Sequence, residues 1–318
     1  MSNKTKDAYK LGEELGYLPY IVDRFVSMLG DEETKQLLQF NETNLPQTIR
    51  LNTLRKPLDE IDRFLEMKQI KLERVDNLPE ARIVKESPVP IGATVEYLNG
   101  FYFLQGKNSL YPSKILNPKK GDMVADLAAA PGGKTSHLAQ IMENEGTIIA
   151  TEISSNRCRS LKSNLARMGV SNTIVINLDA RNISSLKIEF DKILLDAPCS
   201  GSGIIVSDST RKSSKTLDNI MEYRELQISL LRSAIEVLKP KGEIVYSTCS
   251  LEPEENESVI TEILETSDIK IEQIDIIGED GLTDFQSQNY HQSLTKARRL
   301  YPHKTCGEGF FIVKMEKS

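Results

Sequence analysis

Five short apolar runs constrain this chain's fold more than any other feature. They are "MVADLA" (123–128), "TIIATEI" (147–153), "NTIVINL" (172–178), "KILLDA" (192–197) and "EIVYSTC" (243–249). Each reads as a strand, and helical patterns separate them. In "NRCRSLKSNLARMG" (156–169), Cys158, Leu161, Leu165 and Met168 fall on one helical face, with Gly169 as the stop. "RELQISLLRSAIEVLKPKG" (224–242) carries a similar stripe and ends at Lys239-Pro240-Lys241-Gly242. Strands alternating with helices demand right-handed crossovers and a parallel sheet covered on both faces. Ligands of such sheets bind beyond the carboxyl ends of the strands. The unusual residues of this sequence lie at those ends.

Before residue 106 the pattern differs. "AYKLGEELGYLPYIVDRFVSML" (8–29) has helical spacing. "PQTIRLNTLR" (46–55) reads as a strand leading into "PLDEIDRFLEMKQ" (57–69), an amphipathic helix entered at a proline. "IKLERV" (70–75) and "ATVEYLNGFYFLQG" (93–106) read as further strands. The expected division is a small α+β domain over residues 1–105 and an α/β domain over 106–318, sizes that a chain of 318 residues accommodates.

Composition narrows the class. No apolar run approaches a membrane span, and "MSNKTKDAYK" has no apolar segment behind its charges, so a cytoplasmic protein is expected. Cys158, Cys199, Cys249 and Cys306 are far apart and form no C-x-x-C. With His137, His291 and His303 equally scattered, neither a metal site nor a disulfide framework is expected. A net charge of −6 argues against indiscriminate nucleic-acid binding but leaves room for a local basic surface.

"DLAAAPGGKTSHLAQIM" (126–142) is a strand end, a small-residue loop and a helix start. Gly132 and Gly133 permit close backbone approach to a ligand. The loop is not a nucleotide phosphate loop, which needs glycine where Ala128 stands, and the G-x-G-x-x-G fingerprint is missing. The next strand ends in Glu152, where an acid can take both hydroxyls of a ribose. The third ends in Asp179, placed for an adenine amino group. Taken singly, each is more often a solvated loop acid than a ligand. Together with the loop they suit an adenosine cofactor without a pyrophosphate, and S-adenosylmethionine fits.

The fourth and fifth strands end in "DAPCSG" and "YSTCSLEPEEN". Most free cysteines are small buried residues. Cys158 fits that description on its helix stripe, whereas Cys199 and Cys249 sit in strand-end loops. A thiolate adding to carbon 6 of a pyrimidine makes carbon 5 enamine-like, able to attack a sulfonium methyl group. An unperturbed thiol has a pKa of roughly 8.5, so the site must assist its deprotonation. Glu252, Glu254 and Glu255 oppose a thiolate, and with Pro253 they read as acids of a helix's first turn. Asp196 is placed to hydrogen-bond the polar edge of a base, or to donate to ring nitrogen 3 if protonated. Pro198 restricts its loop.

With these motifs in order, the sequence resembles the RNA cytosine-5 methyltransferases of the Nop2/Sun (RsmB-like) type over nearly its whole length. The resemblance rests on "RLNTLR" (50–55), "DLAAAPGGKT" (126–135), "TEIS" (151–154), "LDAR" (178–181), "LLDAPCSGSG" (194–203), "YSTCSLEPEENE" (246–257) and "RLYPH" (299–303) with "GFFIVK" (309–314). It implies a Rossmann-like S-adenosylmethionine-dependent methyltransferase domain, whose mostly parallel seven-stranded sheet has an antiparallel last strand, preceded by a small α+β RNA-binding domain that "RLNTLR" resembles. It places the cofactor on Ala128, Ala129, Ala130, Pro131, Gly132, Gly133 and Lys134, with Glu152 on the ribose, Asp179 on the adenine, and Asp196 near methionine and target base. It makes Cys249 the nucleophile, Cys199 the product-release residue and Lys134 a neighbour of the target base. Ala128 stands where many members have cysteine.

The resemblance implies methylation of carbon 5 of cytosine in RNA, with tRNA, as in archaeal-type members, ahead of rRNA, by a monomer needing no metal. Two alternatives differ in chemistry or class. A DNA cytosine methyltransferase would use the Pro-Cys cysteine as nucleophile. A non-catalytic RNA-binding or ribosome-assembly factor would retain only the cofactor pocket.

Overall fold

The computed structural model describes residues 5–318; residues 1–4 of "MSNKTKDAYK" lie outside the described residues. Helices α1 (Thr5–Glu14), α2 (Pro19–Leu29) and α3 (Asp31–Phe40) come first. Then follow β1 (Thr48–Leu51), α4 (Leu58–Met67), β2 (Lys71–Val75), β3 (Leu78–Glu86), α5 (Val95–Leu98), β4 (Tyr102–Leu104) and α6 (Tyr111–Leu116). The alternating region is β5 (Met123–Asp126), α7 (Gly133–Ile141), β6 (Thr147–Glu152), α8 (Ser155–Met168), β7 (Thr173–Asn177), β8 (Phe190–Asp196), α9 (Leu217–Glu236) and β9 (Leu238–Thr248). The chain closes with α10 (Glu257–Thr266), β10 (Ile269–Glu272), β11 (Glu279–Asp280), β12 (Asp284–Phe285), β13 (Gln288–Asn289), β14 (Arg298–Leu300), α11 (Pro302–Thr305) and β15 (Phe310–Lys317).

These elements form two compact units, each assembled from three stretches of chain. One comprises Met1–Leu45, Pro198–Ser229 and Ser247–Val313; the other comprises Pro46–Ala197, Leu230–Tyr246 and Lys314–Ser318.

In the second of these, the five apolar runs lie in the order β9-β8-β5-β6-β7. β5 runs parallel to β6 and β8, and β6 runs parallel to β7. Register pairs Asp126 with Ala150 and Leu194, and Glu152 with Asn177, so the acid-bearing ends open on one edge. The interiors of β5, β6, β8 and β9 are buried because helices cover a parallel sheet's faces, whereas Ile174 of the edge strand β7 is exposed. A four-stranded antiparallel sheet, β2-β3-β1-β4, belongs to the same unit and packs Ile49, Leu51 and Tyr102 against Ile61 and Leu65 of α4.

In the other unit, α1–α3 enclose Phe25, Leu37 and Leu38, which pack with Ile205, Leu251 and Tyr301. There β14 pairs antiparallel with β11 and with β15. Among the described residues the large sheet counts nine strands rather than the seven expected.

Local differences from the sequence reading have physical causes. The run 93–106, read as one strand, is split. Thr94 Oγ1 caps α5 by accepting from Tyr97 N–H (3.1 Å), and Gly100 turns the chain at φ 73°. A Cβ on Gly100 would lie 1.9 Å from the Arg167 carbonyl oxygen, so only glycine fits that turn. Helix α9 stops at Glu236, short of Lys239-Pro240-Lys241-Gly242, because Phe190 N–H takes the Val237 carbonyl (2.9 Å) and the chain joins the sheet.

Candidate active site

The loop after β5 is held by its carbonyl groups. Arg157 Nη2 donates to Ala130 C=O (2.8 Å), Asn164 Nδ2 to Pro131 C=O (2.9 Å), and Arg50 Nη1 to Gly133 C=O (3.1 Å). A trans peptide sets its N–H opposite its C=O, so the Gly132 and Lys134 N–H groups point away from Asn164 and Arg50. Gly132 sits at φ 104°, and a Cβ there would meet Leu161 at 2.9 Å. Ala129 and Ala130 are buried, and Ala128 is half-buried. The loop thus presents small residues and directed N–H donors at the start of α7, an arrangement that accepts an anionic group such as a carboxylate.

Glu152, at the end of β6, is buried and pairs with Arg157 Nη1 (3.1 Å), while its Oε1 accepts from Ser154 N–H (2.9 Å). Asp179, two residues past β7, accepts from Arg181 Nη2 (2.5 Å) and Nε (3.0 Å). The hydrogen bonds from Arg181 hold its carboxyl below the usual range. Two carboxylates at the ends of adjacent parallel strands, beside a small-residue loop, match the donors and acceptors that an adenosine and an amino-acid group require. The residues therefore fit S-adenosylmethionine.

Lys134 Nζ pairs with Asp196 Oδ2 at 2.7 Å and donates to Ser109 Oγ at 2.9 Å. Both groups are largely withdrawn from solvent. Asp126 stands at the end of β5, with its carboxyl buried and accepting from Thr135 Oγ1 (2.7 Å). Burial pushes its pKa up to about 6; the Thr135 hydrogen bond opposes the shift and the charge of Asp196 adds to it.

In the other unit, Cys199 and Cys249 stand with their sulfur atoms 3.2 Å apart, both unoxidised and both half-buried. Their loops are zipped at the backbone: Gly203 N–H donates to Cys249 C=O (2.9 Å), and Ser202 Oγ accepts from Leu251 N–H (2.9 Å). A Cβ on Gly203 would lie 2.7 Å from the Cys249 and Gly309 carbonyl oxygens, so the second glycine of "GSG" permits this approach. Asn256 Nδ2 braces the loop through Ser250 C=O (2.9 Å).

The acids after Cys249 stand where expected, at a helix start: Pro253–Glu255 forms a short 3-10 turn with Glu252 before it and Glu254 and Glu255 within it, although no side chain caps it. Their carboxyl groups are also taken up by more distant partners. Glu252 and Glu254 pair with the buried Arg24 of α2. Glu257 takes Arg299 in a two-pronged pair (2.6 and 2.5 Å). Glu255 receives hydrogen bonds from Ser200, Ser250 and Gln227. A buried carboxylate needs donors, and the fold brings them from remote segments.

Cys158 and Cys306 play no part in these groupings. Cys158 is buried in α8 with its thiol on the Glu152 carbonyl, and Cys306 is exposed at the end of α11. His137 is a core histidine 3.2 Å from Glu80, and burial lowers its pKa to about 4. Among the described residues no three metal-ligating side chains cluster, and no helix is long and apolar enough to cross a membrane.

Several participants escaped the sequence reading. Arg157 and Arg181 were detectable, because each follows its acid by a few residues. The serines after both cysteines, in a repeated Cys-Ser, were a further signal. Arg50 and Asn52 of "RLNTLR" gave none. Arg50 is buried, bonded to Gly133 C=O and Ser136 Oγ (2.7 Å), and Asn52 Nδ2 joins Gly100 C=O (2.8 Å) to Met168 C=O (2.7 Å). Arg50 braces the start of α7 and Asn52 the end of α8.

Comparison with known proteins agrees with this geometry. Residues 113–316 match the family described as 16S rRNA methyltransferase RsmB/F, and residues 18–107 match the N-terminal domain of 16S rRNA methyltransferase RsmF. A 26S rRNA (cytosine-C(5))-methyltransferase of Caenorhabditis elegans is 38% identical over 96% of this chain and 47% of its own length. The chain spans about half or less of the first such curated relatives. A tRNA (cytosine(49)-C(5))-methyltransferase of Pyrococcus abyssi is 34% identical over 93% of this chain and 95% of its own. Among solved structures, a methyltransferase homologue from Pyrococcus horikoshii superposes with a TM-score of 0.90 at 39% identity, covering all of both chains. The Rossmann-like sheet, the small-residue loop after β5, the strand-end acids and the paired cysteines thus belong to a chain that is a member of the RsmB/F methyltransferase family.

Proposed function

We propose that this protein methylates carbon 5 of cytosine in RNA, using S-adenosylmethionine, with Cys249 as the covalent nucleophile. The observation that carries the reading is the pair of thiols 3.2 Å apart. Carbons 5 and 6 are bonded neighbours, so a reaction that adds sulfur at one and removes a proton from the other needs two groups side by side. Sequence continuity supports the partnership with the cofactor loop: β8 and β9 are neighbours in the sheet, and Asp196 precedes Cys199 by three residues, as Tyr246 precedes Cys249.

When bound, S-adenosylmethionine supplies the electrophilic methyl group. Ala128 to Lys134 cradle its amino-acid end, Glu152 takes the ribose hydroxyls, and Asp179 takes the adenine amino group. Cys249 adds to carbon 6 and leaves at the end. Cys199 removes the carbon-5 proton, or positions the group that does, and so releases the product. Asp196, paired with Lys134, accepts from the cytosine amino group, and Lys134 stands beside the base as a donor. A cytosine within structured RNA must first be flipped out, at a cost of a few kcal/mol. Thiol addition activates the ring without calling on a metal.

In this reading residues 106–318 carry the chemistry and residues 1–105 contribute RNA contacts, in a monomeric cytoplasmic enzyme. Alignment along nearly the whole Pyrococcus abyssi tRNA enzyme supports tRNA as substrate. The identity to the rRNA enzymes supports rRNA as the second reading.

The test is incubation of wild type, Cys249→Ala and Cys199→Ala with labelled S-adenosylmethionine and tRNA, rRNA or DNA. Cys249→Ala is expected to abolish transfer, and Cys199→Ala to accumulate a covalent RNA adduct. Full activity in Cys249→Ala sinks the assignment, labelling of DNA alone replaces the substrate, and no labelling by wild type favours a binding factor. Bisulfite mapping then locates the cytosine.

A further inference from the structure

We infer that Glu255 is a positioning residue that holds the two cysteine loops in register; the inference rests on the reading of Cys249 and Cys199 as a working pair. Its carboxylate is fully buried, and each of its oxygens gathers two donors. Oε1 accepts from the Ser200 hydroxyl and from the Ser250 hydroxyl (2.8 Å). Oε2 accepts from Ser200 N–H (2.8 Å) and from Gln227 Nε2 (3.0 Å). Ser200 follows Cys199, and Ser250 follows Cys249. Gln227 Nε2 also donates to Pro198 C=O (2.9 Å), on the other side of Cys199. One carboxylate oxygen therefore bridges the two loops directly, and the other fixes the peptide groups on both flanks of Cys199.

Chemistry explains why an acid stands there. A carboxylate is an acceptor at four lone-pair positions, and these four donors from Ser200, Ser250 and Gln227 are neutral. Bonds to a charged acceptor are shorter and stronger than neutral ones, which suits a bracket between flexible loops. The backbone zipper holds the Cys249 carbonyl but reaches the other loop only at Gly203, four residues past Cys199. Glu255 sets the spacing at the thiols themselves. Misplacement by about 1 Å at a reacting pair costs on the order of 100-fold in rate.

The variants are graded by this geometry. Glutamine keeps the length: its carbonyl can serve the Oε2 donors, and its amide can donate to both serine hydroxyls, which reverse. Alanine removes the bracket. Under the proposed reaction, Glu255→Ala is expected to lower kcat on RNA about 100-fold while KM for S-adenosylmethionine stays within about threefold, and Glu255→Gln to recover activity to within about tenfold of wild type.

A second readout needs no activity. Phenylarsine oxide bridges two adjacent thiols with loss of water, forming two As–S bonds. Wild type should capture it through Cys199 and Cys249, Cys249→Ala should lose that capture, Glu255→Ala should weaken it at least about tenfold, and Glu255→Gln should keep it. A Glu255→Ala protein with unchanged kcat and unchanged arsenical capture overturns the proposal. So does one whose KM for S-adenosylmethionine rises in step with the loss of kcat and which glutamine does not rescue. If Glu255→Ala does not fold, Ser250→Ala, which cuts the Oε1 bridge together with the bond from Glu252 N–H to the Ser250 hydroxyl (3.1 Å), must reduce both readouts, and no reduction rejects the role. Arsenical capture that depends on Glu255 in a wild type that methylates no RNA leaves the bracket standing and removes the reaction.

Discussion

Asp126 is where burial and charge are most directly opposed at a single residue. Its carboxyl is buried at the end of β5, and its pKa is raised from 3.8 to about 6. The ionised form is thus disfavoured in the folded state. Below about pH 4 both folded and unfolded chains hold the proton and no penalty exists. As pH rises through 6, the unfolded chain has already released the proton and the folded chain is forced to, so stability contributed by this group is lost. Asp126→Asn, which keeps an acceptor for Thr135, should match wild type in denaturant unfolding at pH 4. It should gain up to about 3 kcal/mol by pH 7, since each tenfold change in proton affinity is worth about 1.4 kcal/mol. A gain independent of pH would assign the effect to packing. Asp126 was visible in sequence as a strand-end acid. That it is buried while Glu152 and Asp179 are paired with arginines was not, because all three follow apolar runs of the same kind.

At the level of elements, β1 explains the "RLNTLR" segment. It reads as one strand of an RNA-binding domain, yet Arg50 and Asn52 point their polar atoms at the backbones of α7 and α8. Arg55 adds bonds to the Ala166 and Arg167 carbonyls at the end of α8 (3.1 and 2.8 Å). Burial lowers the Arg50 pKa to about 9, and its guanidinium lies against the Phe103 ring. Arg50→Ala removes the bonds to Gly133 C=O and Ser136 Oγ, leaving Ser136 Oγ as the side-chain donor to that carbonyl (3.1 Å), and opens a cavity, and is expected to cost about 3 kcal/mol in thermal or denaturant unfolding. Arg50→Met fills the volume without a buried charge and should cost less than about half of that. If the two variants are equally destabilised, the hydrogen bonds rather than the volume carry the contribution. Both should raise KM for S-adenosylmethionine severalfold, because the loop that Gly133 ends loses its anchor.

Over the whole molecule, the boundary near residue 106 separates two sequence patterns but not two compact units. Helices α1–α3 form one core with Ile205, Leu251 and Tyr301, and β1–β4 fall in the same unit as β5–β8. Expressed without residues 1–105, the chain from 106 to 318 would expose those core faces and leave Glu252 and Glu254 without Arg24. It is expected to lack a cooperative calorimetric transition, whereas the full chain shows one; a sharp transition in the fragment would establish 106–318 as autonomous. The sequence by itself determined the alternation of strands and helices, the loop, the acids at the strand ends and the two cysteines. These are local: burying one face of an element imposes a short period, and a loop's glycines follow from its turn. Only the tertiary structure decided which acid does what. Arg24 meets Glu252 across 228 residues, Arg50 meets Gly133 across 83, and Ser200 meets Glu255 across 55. Desolvation obliges each buried polar group to find a partner, and no local periodicity records which distant segment supplies it.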